Sequence, residues 1–263
     1  MLCSALQVGE FASKAFVQRA LRSPNTPSAV ISFFYGVDYY DESLEKSRNA
    51  IQELRDGSCI GPMSSLWYGG GPEYDKLCHP FGSLVRQAGG DELVDEPWQS
   101  TVDGVIAQLV LCDQLSRNIF RGTSEAFAYD QASLQHSRTL TATILGGTLA
   151  GAAASPTLTG EVYPPFLAST VTALMHSEQV QDHENALSLL DFAQESTPES
   201  LTDFWKQVRS MEEEHKSVVD RFGRYPHRNL AKGRESTAQE EAWLADVENL
   251  PGWALSQLPQ KAE

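Results

Sequence analysis

The chain has 263 residues and a formal net charge of −15, with 41% hydrophobic and 21% charged residues. This is the composition of a globular protein that is long enough to bury a core. So acidic a chain repels phosphate groups, so nucleic acid is not an expected partner. No apolar run approaches the ~20 residues that span a bilayer, so no membrane span is predicted.

Residues 1–27 are predicted to form an N-terminal extension. Residues 1–22 are amphipathic and poor in acids, a pattern shared by first helices and by organelle transit peptides, and the segment "SPNTPS" follows as a linker. The four cysteines form no CxxC pair, which is typical of a reducing compartment. We therefore expect a cytoplasmic protein, or an organelle protein if residues 1–22 are a targeting segment.

Helical periodicity dominates the chain that follows. One predicted helix has Ser28 as its cap and ends at Gly36, and the next ends at Gly57. Residues 71–90 are predicted to be helical with an interruption at Pro80, because proline breaks the hydrogen-bond ladder of a helix.

The second half of the chain continues in the same way. A long helix is predicted from Trp98 to Phe120, and its middle is apolar on nearly all sides, as in a buried helix. Thr123 is predicted to cap a helix that reaches about Leu145. A loop follows, and further helices are predicted at residues 166–176, 180–194, 199–222 and 236–248.

Strand alternation and hairpin signals are missing from this pattern. The predicted fold class is therefore all-α, with antiparallel helix pairs in a single domain over residues 28–250. Residues 251–263 are predicted to be a C-terminal tail.

The segment "CDQLSRNIFRG" is the first group of residues that could carry chemistry. Helical spacing places charged and amide side chains four residues apart on a face shared with apolar residues. A charged group held against a core must be paired, so the group is either a structural ion pair or the floor of a ligand pocket. The i,i+4 pairs are Asp113 with Arg117, Gln114 with Asn118, and Arg117 with Arg121.

The segment "LMHSEQVQDHE" is the second group. His176 and His183 share a face if one helix runs through them, whereas a new helix starting at Ser177 would place His176 and Glu178 at a junction. Imidazole and carboxylate groups suit divalent metals, but no metal-ligand spacing such as HExxH is present, so no metal site is predicted. A structural histidine is the alternative.

The segment "RFGRYPHRN" is the third group, and it concentrates positive charge in an acidic chain. Arg221 lies in a predicted last helical turn and Gly223 is a natural left-handed cap. Guanidinium groups bind carboxylates or phosphates through two hydrogen bonds, so the partners are either the chain's own Asp113, Glu178 and Asp220 or an outside anion. The polar residues beyond the cap are Arg224, His227, Arg228, Asn229 and Arg234.

No cofactor motif accompanies these groups. The glycine-rich segment "WYGGGPEYD" has neither GK[ST] nor GxGxxG, so it is interpreted as a turn before a helix. No GxSxG elbow is present, and no cysteine has the local signature of a catalytic thiol. No cofactor is therefore predicted.

The segments "ISFFYG", "LCDQLSRNIFRGTSEAFAYD", "MHSE" and "RFGRYPHRN…GREST" occur in this order in one family, and the chain resembles it over about residues 28–250. This is the family catalogued as domain of unknown function 924. The resemblance implies a tetratricopeptide-like helical fold but names no reaction. The motif residues that it singles out are Asp113, Gln114, Arg117, Asn118, Arg121, Phe127, Asp130, His176, Ser177, Glu178, His215, Arg221, Gly223, Arg224, Pro226, His227, Arg228, Asn229, Gly233 and Arg234.

Two positions depart from the family pattern. His183 stands where the family tends to have glutamine, which weakens any metal hypothesis that requires this histidine. Ala173 stands where proline usually precedes the histidine-bearing motif, so the helix before His176 is expected to be straighter.

Two hypotheses follow. In the first, the three segments converge on a pocket for a small anionic molecule, with a histidine as general acid or base and Glu178 as its partner. In the second, the same residues form an internal ion-pair network and the protein is a helical scaffold for a protein partner. The candidate catalytic residues are His176, Glu178, His215 and His227. The candidate ligand-binding residues are Asp113, Gln114, Arg117, Asn118, Arg121, Arg221, Arg224, Arg228, Asn229 and Arg234.

Overall fold

The computed structural model describes residues 5–39, 44–69, 71–146 and 158–255. Within these ranges the regular structure is helical, and the only β-type pairing is an isolated bridge between Thr101 and Thr159. The predicted all-α class is therefore confirmed, while the tetratricopeptide-like arrangement stays a prediction.

The α-helices are numbered here in chain order. Those of the first half are α1 (Ala5–Ser13), α2 (Ala15–Arg22), α3 (Pro27–Tyr35), α4 (Leu44–Asp56), α5 (Ile60–Gly69), α6 (Gly71–Cys78), α7 (Gly82–Gly89), α8 (Glu96–Gln99), α9 (Val102–Val110) and α10 (Ser116–Ile119). Those of the second half are α11 (Asp130–Leu145), α12 (Pro164–Met175), α13 (Val180–Ser196), α14 (Thr202–Phe222), α15 (Ala238–Ala245) and α16 (Gly252–Leu255). Short 3-10 helices lie at His79–Phe81, Ser124–Phe127, Glu199–Leu201 and Pro226–Arg228.

The N-terminal helices pack against the main core. Val17 and Ala20 of α2 are fully buried, and Phe11 of α1 meets Phe33 of α3 edge-on with 5.8 Å between ring centroids. The core of the described chain thus includes the segment that was predicted as an extension.

The start of α3 differs from the prediction. Its cap is Thr26 rather than Ser28, and the Thr26 side chain accepts a hydrogen bond from the Ala29 amide at 3.1 Å. Pro27 then occupies the first turn, where its missing N–H costs nothing. At the other end the helix stops at Gly36, as predicted, and this glycine adopts the left-handed conformation with φ 72°.

The long helix predicted over residues 98–120 starts too early, since the continuous helical run extends from Val102 to Ile119 and contains a π-helical turn. Trp98 belongs to α8, and α9 begins after Thr101, whose side chain accepts a hydrogen bond from the Gly104 amide at 2.9 Å. The helix then widens into a π-helical turn, Leu111–Leu115, before α10. The "ST" of "QSTVDG" is a capping signal that outweighs the continuous apolar pattern.

Of the other predicted helix boundaries, some agree with the structure and some do not. The interruption at Pro80 is confirmed, since a 3-10 helix separates α6 from α7. Thr123 makes no side-chain cap bond within the described chain, and a 3-10 helix precedes α11, which begins only at Asp130. α5 was not predicted. Part of the predicted loop, residues 147–157, lies outside the described residues.

Helices α12, α13 and α14 form the second part of the core, around Leu174, Leu190 and the fully buried Trp205. α12 contacts α9, α11, α13 and α14. Because the C-terminal end of α12 meets the start of α11 and the π-helical turn, polar residues from distant segments are brought together there.

Candidate functional site

A buried aspartate and a partly exposed histidine form the centre of the site. Asp113 lies in the π-helical turn and is 1% exposed, and its Oδ1 is 2.7 Å from Nδ1 of His176, the residue that follows α12. Burial alone would raise the pKa of Asp113, but His176 and then Arg117 outweigh it and lower the pKa to about 2. Asp113 is thus ionised and accepts the Nδ1–H of His176. The Nε2 atom of His176 is left free for chemistry on an imidazole that is 20% exposed.

Arg117 binds Asp130 more closely than its predicted partner. The i,i+4 contact with Asp113 exists, but it spans 3.7 Å, whereas Nη2 of Arg117 lies 2.5 Å from Oδ1 of Asp130. Arg117 also donates to the carbonyl of Ala126, and its guanidinium lies over the Phe127 ring at 4.7 Å. The start of α11 therefore supplies the carboxylate that the sequence pattern assigned to the preceding helix.

Two further cations share the Asp130 carboxylate. Arg228 is 3% exposed, and its Nη1 donates to the His176 carbonyl at 2.9 Å and lies 3.5 Å from Oδ2 of Asp130. Nζ of Lys232 lies 3.4 Å from the same oxygen. Burial lowers the pKa of Arg228, Asp130 opposes this, and the like charge of Arg117 adds to it. We name Arg117, Asp130, Arg228 and Lys232 the Asp130 cluster.

Glu178 has a different role from the one predicted. It binds Arg234 through two hydrogen bonds of 2.6 and 2.9 Å, and it accepts the backbone N–H of Tyr225 at 3.0 Å. Burial alone would raise the pKa of Glu178, but these bonds lower it. Asp113, and not Glu178, is therefore the carboxylate that bonds a histidine of the site.

Two other candidate histidines are buried beside this network. Nδ1 of His215 bonds the Met211 carbonyl at 2.7 Å, so it carries the proton and Nε2 is an acceptor. Neither nitrogen of His227 has a partner within the described residues. Burial lowers the pKa of His215 to about 3 and that of His227 to about 2, with Arg228 adding to both effects. Both imidazoles are neutral at pH 7.

Trp253 covers these histidines, and no sequence pattern predicted this role. Its ring stacks on His215 with 3.9 Å between centroids and 20° between planes, and it lies 5.2 Å from the His227 ring. The residue lies in α16, within the predicted tail. A tryptophan in a short C-terminal tail is the signal that could have drawn attention to it.

Four of the predicted ligand-binding residues are bound elsewhere or face solvent. Arg121 and Asn118 bond Asp75, with Nε of Arg121 2.7 Å from Oδ2. Arg224 pairs with Glu240, with its Nε 2.6 Å from Oε1. Arg221 is exposed, with its guanidinium over the ring of the adjacent Phe222. The polar groups of these four residues are paired with other side chains or exposed to solvent, away from His176.

The remaining predicted residues border the site. Gln114 donates to Oδ2 of Asp113 and so helps to hold that carboxylate. Asn229 donates to Ser236 at 3.1 Å. His183 is fully buried and bonds both Glu212, at 2.6 Å, and the Ser177 carbonyl, at 3.0 Å. His183 is therefore a structural residue, in line with its departure from the family pattern.

The described ranges lack the arrangements typical of metal centres and membrane spans. There, no group of three or more His, Cys, Asp or Glu side chains is placed to hold a metal ion, and no helix is both long and apolar enough to cross a bilayer. A cavity of about 300 Å³ lies away from the Asp130 cluster, with Ile144, Leu167 and Phe192 among its lining residues.

These features define an all-α protein with a buried arginine–histidine–carboxylate network. Residues 57–248 match the model of the family described as bacterial protein of unknown function, DUF924. The chain belongs to this family. It is also similar in fold to the solved structure of a protein of unknown function, ATU0120, from Agrobacterium tumefaciens, with 24% identity, a TM-score of 0.51 and coverage of 75% of this chain and 97% of that one. No curated protein matches the chain.

We expect Asp113→Asn to lower the free energy of unfolding by about 2–3 kcal/mol at pH 7, because it removes a buried charge whose folded pKa is depressed. Such a carboxylate stabilises the fold fully above its unfolded pKa, and this stabilisation is lost only as the pH falls towards about 2. Urea unfolding measures the change. Asp203→Asn, at a side chain that is 90% exposed, is the control. Equal losses in the two variants would contradict a buried, paired Asp113.

Proposed function

We propose that the protein binds a small anionic molecule at the Asp130 cluster and acts on it through His176 as general acid or base. The observation that carries this proposal is that Arg117, Arg228 and Lys232 all lie within 3.5 Å of one carboxylate. A structural ion pair requires one cation for each carboxylate, and a chain of net charge −15 has carboxylates to spare. Positive charge left over in such a chain supports an outside anion as the missing partner.

Access to the cluster is from the side of its more exposed members. Lys232 and His176 are 31% and 20% exposed at their side chains, whereas Arg228 lies beneath them. Nε of Arg228 has no hydrogen-bond partner in the described parts of the chain. An anion held by Lys232, on the more exposed side of the cluster, would also interact with the charge of Arg228, because both cations lie at the same Asp130 oxygen.

Asp113 is the positioning residue for His176 in this proposal. By accepting the Nδ1–H at 2.7 Å, it fixes the ring and its tautomer and leaves Nε2 on the ligand side. His176 can then take up a proton from the bound molecule or return one. His215 and His227 remain neutral, so they contribute hydrogen bonds rather than charge.

The alternative function is a scaffold for a protein partner, and it is favoured by a specific observation. Arg121 with Asp75, Arg224 with Glu240 and Arg234 with Glu178 are each joined by two hydrogen bonds inside the protein. These arginines serve the fold. If the Asp130 cluster did the same, no ligand would be required.

Arg228→Gln separates the two functions. We expect its free energy of unfolding to stay within about 1 kcal/mol of the parent, because Asp130 keeps Arg117 and Lys232. The variant loses the bond to the His176 carbonyl, the 3.5 Å contact with Asp130 and the guanidinium contact with the Tyr225 ring, but it also removes one of three crowded positive charges. The parent is expected to show a higher Tm in phosphate, sulfate or citrate than in chloride of equal ionic strength. Arg228→Gln is expected to lose that increase.

The matched control is Arg234→Gln, which leaves Glu178 without its arginine and is expected to cost about 2 kcal/mol. If anions leave the parent Tm unchanged and Arg228→Gln is as destabilised as this control, the scaffold is the better function.

A further inference from the structure

We propose that Asp130 selects the charge of the ligand, so that the site accepts a singly charged anion and rejects a doubly charged one. This inference rests on the proposed function, because it names the class of anion bound at the same site. It is based on the number of positive and negative groups around the Asp130 cluster and on the position of the Asp130 carboxylate among them.

The charged groups in and beside the Asp130 cluster leave one positive charge unbalanced. Arg117 lies beside both Asp113 and Asp130, and Arg228 and Lys232 contact Asp130, so three cations stand against two carboxylates. The neighbouring pair of Arg234 with Glu178 is neutral as a whole. A ligand with a single negative charge would therefore bring the site to neutrality, the state that burial favours.

Asp130 also occupies the place where a second negative charge would have to go. Its Oδ1 is taken by Arg117, and Oδ2 is shared by Arg228 and Lys232. Its side chain is 14% exposed, so it stands at the boundary between these cations and solvent. An anion that approaches Lys232 or Arg228 thus meets a fixed carboxylate as its neighbour. A ligand with one negative charge is tolerated there, whereas a ligand with two negative charges is repelled by the Asp130 carboxylate.

The histidines beside the cluster add no charge that differs between the proteins to be compared. His215 and His227 are buried and neutral, and His176 donates its Nδ1–H to Asp113. Because His176 bonds Asp113 and not Asp130, a change at Asp130 leaves that bond in place. Asp130→Asn keeps the shape of the side chain and raises the unbalanced charge from one to two.

The test compares dimethyl phosphate, a monoanion, with methyl phosphate, which is a dianion at pH 8.5. Titration calorimetry is carried out at constant ionic strength. We expect the parent to bind dimethyl phosphate more tightly, and Asp130→Asn to bind methyl phosphate more tightly, with a gain of roughly tenfold over the parent for that probe. Asp130→Glu retains the charge and is expected to retain the parent's preference.

The outcomes distinguish this inference from the function on which it rests. If neither the parent nor Asp130→Asn binds either probe, the proposed function fails. If both proteins bind the probes with the same preference, the function stands and the role of Asp130 is overturned.

A second variant keeps the test decisive if Asp130→Asn does not fold. Lys232→Gln, at a side chain that is 31% exposed, removes the unbalanced charge from the other side. Lys232→Gln is expected to bind dimethyl phosphate more weakly than the parent, because the site then has no unbalanced positive charge. Binding of dimethyl phosphate by Lys232→Gln that is as tight as in the parent would overturn the inference.

Discussion

A shift from pH 7 to pH 5 is expected to lower the free energy of unfolding by about 4 kcal/mol through His215 and His227 alone. Burial lowers their pKa values from 6.5 to about 3 and about 2. Between pH 6.5 and these values the unfolded chain binds a proton at each histidine and the folded protein does not. The stabilisation is therefore complete above pH 6.5 and decreases as the pH falls. His136, whose pKa burial lowers to about 4, acts in the same direction.

Urea unfolding at several pH values between 7.5 and 5 measures this effect. His215→Gln removes one of the buried titrating groups, so its stability should fall less steeply with pH than that of the parent. His79→Gln, at an exposed histidine, is the control and should have the slope of the parent. If all three proteins have the same slope, the buried histidines are not the source of the acid sensitivity.

Gly104→Ala is expected to destabilise the protein by more than about 3 kcal/mol, because α8 and α9 cross at this glycine. A Cβ atom there would lie 2.1 Å from the Pro97 carbonyl oxygen and 2.6 Å from Cα of Trp98. Both atoms belong to the backbone, so no side-chain rotation relieves the contact. The two helices would have to move apart, and with them the start of the segment that leads to Asp113.

Gly9→Ala is the matched control, since Gly9 lies within α1 and, among the described residues, no atom of a packed neighbour lies within 4 Å of the position that a Cβ would take. This substitution is expected to stabilise the helix by about 0.5–1 kcal/mol. Urea midpoints of the two variants, measured side by side, check both expectations. A loss at Gly104→Ala no larger than about 1 kcal/mol would show that α8 can yield to the added methyl group.

Local signals in the sequence were sufficient to predict the all-α fold class and the positions of many helix ends. Gly36 and Gly223 end helices in the left-handed conformation, with φ 72° and 70°, because glycine adopts it without steric cost. Thr237 and Glu240 form a capping box at the start of α15, a pattern of residues three apart that can be recognised in the sequence. Each of these features depends on residues within one helical turn of each other.

The interruptions of the long predicted helix could not be read from periodicity. An apolar pattern that continues through Trp98, Val105 and Leu111 is equally compatible with one buried helix and with several shorter ones. The π-helical turn depends on tertiary packing, because its hydrogen bonds differ from those of an α-helix by one residue. The direction of the Asp113 side chain depends on that turn.

The candidate site was predictable as a set of segments but not as a set of partners. The first segment supplies Asp113, the second His176 and the third Arg228, and His176 is hydrogen-bonded to both of the others. The pairing of carboxylates with basic groups depends on how helices that are far apart in the sequence pack against each other. The sequence therefore suggested Glu178 for the histidine, whereas Glu178 binds Arg234.

The π-helical turn Leu111–Leu115 determines which way Asp113 and Arg117 point, and so whether they meet His176 and Asp130 on neighbouring helices. Such a turn is equivalent to a single residue added to a regular helix, and each residue turns a helix by about 100°. Deleting one residue here would restore a regular helix and swing Asp113 away from His176, or swing α10 and Arg117 away from Asp130. The number of residues in this segment therefore sets both the Asp113–His176 contact and the Arg117–Asp130 contact.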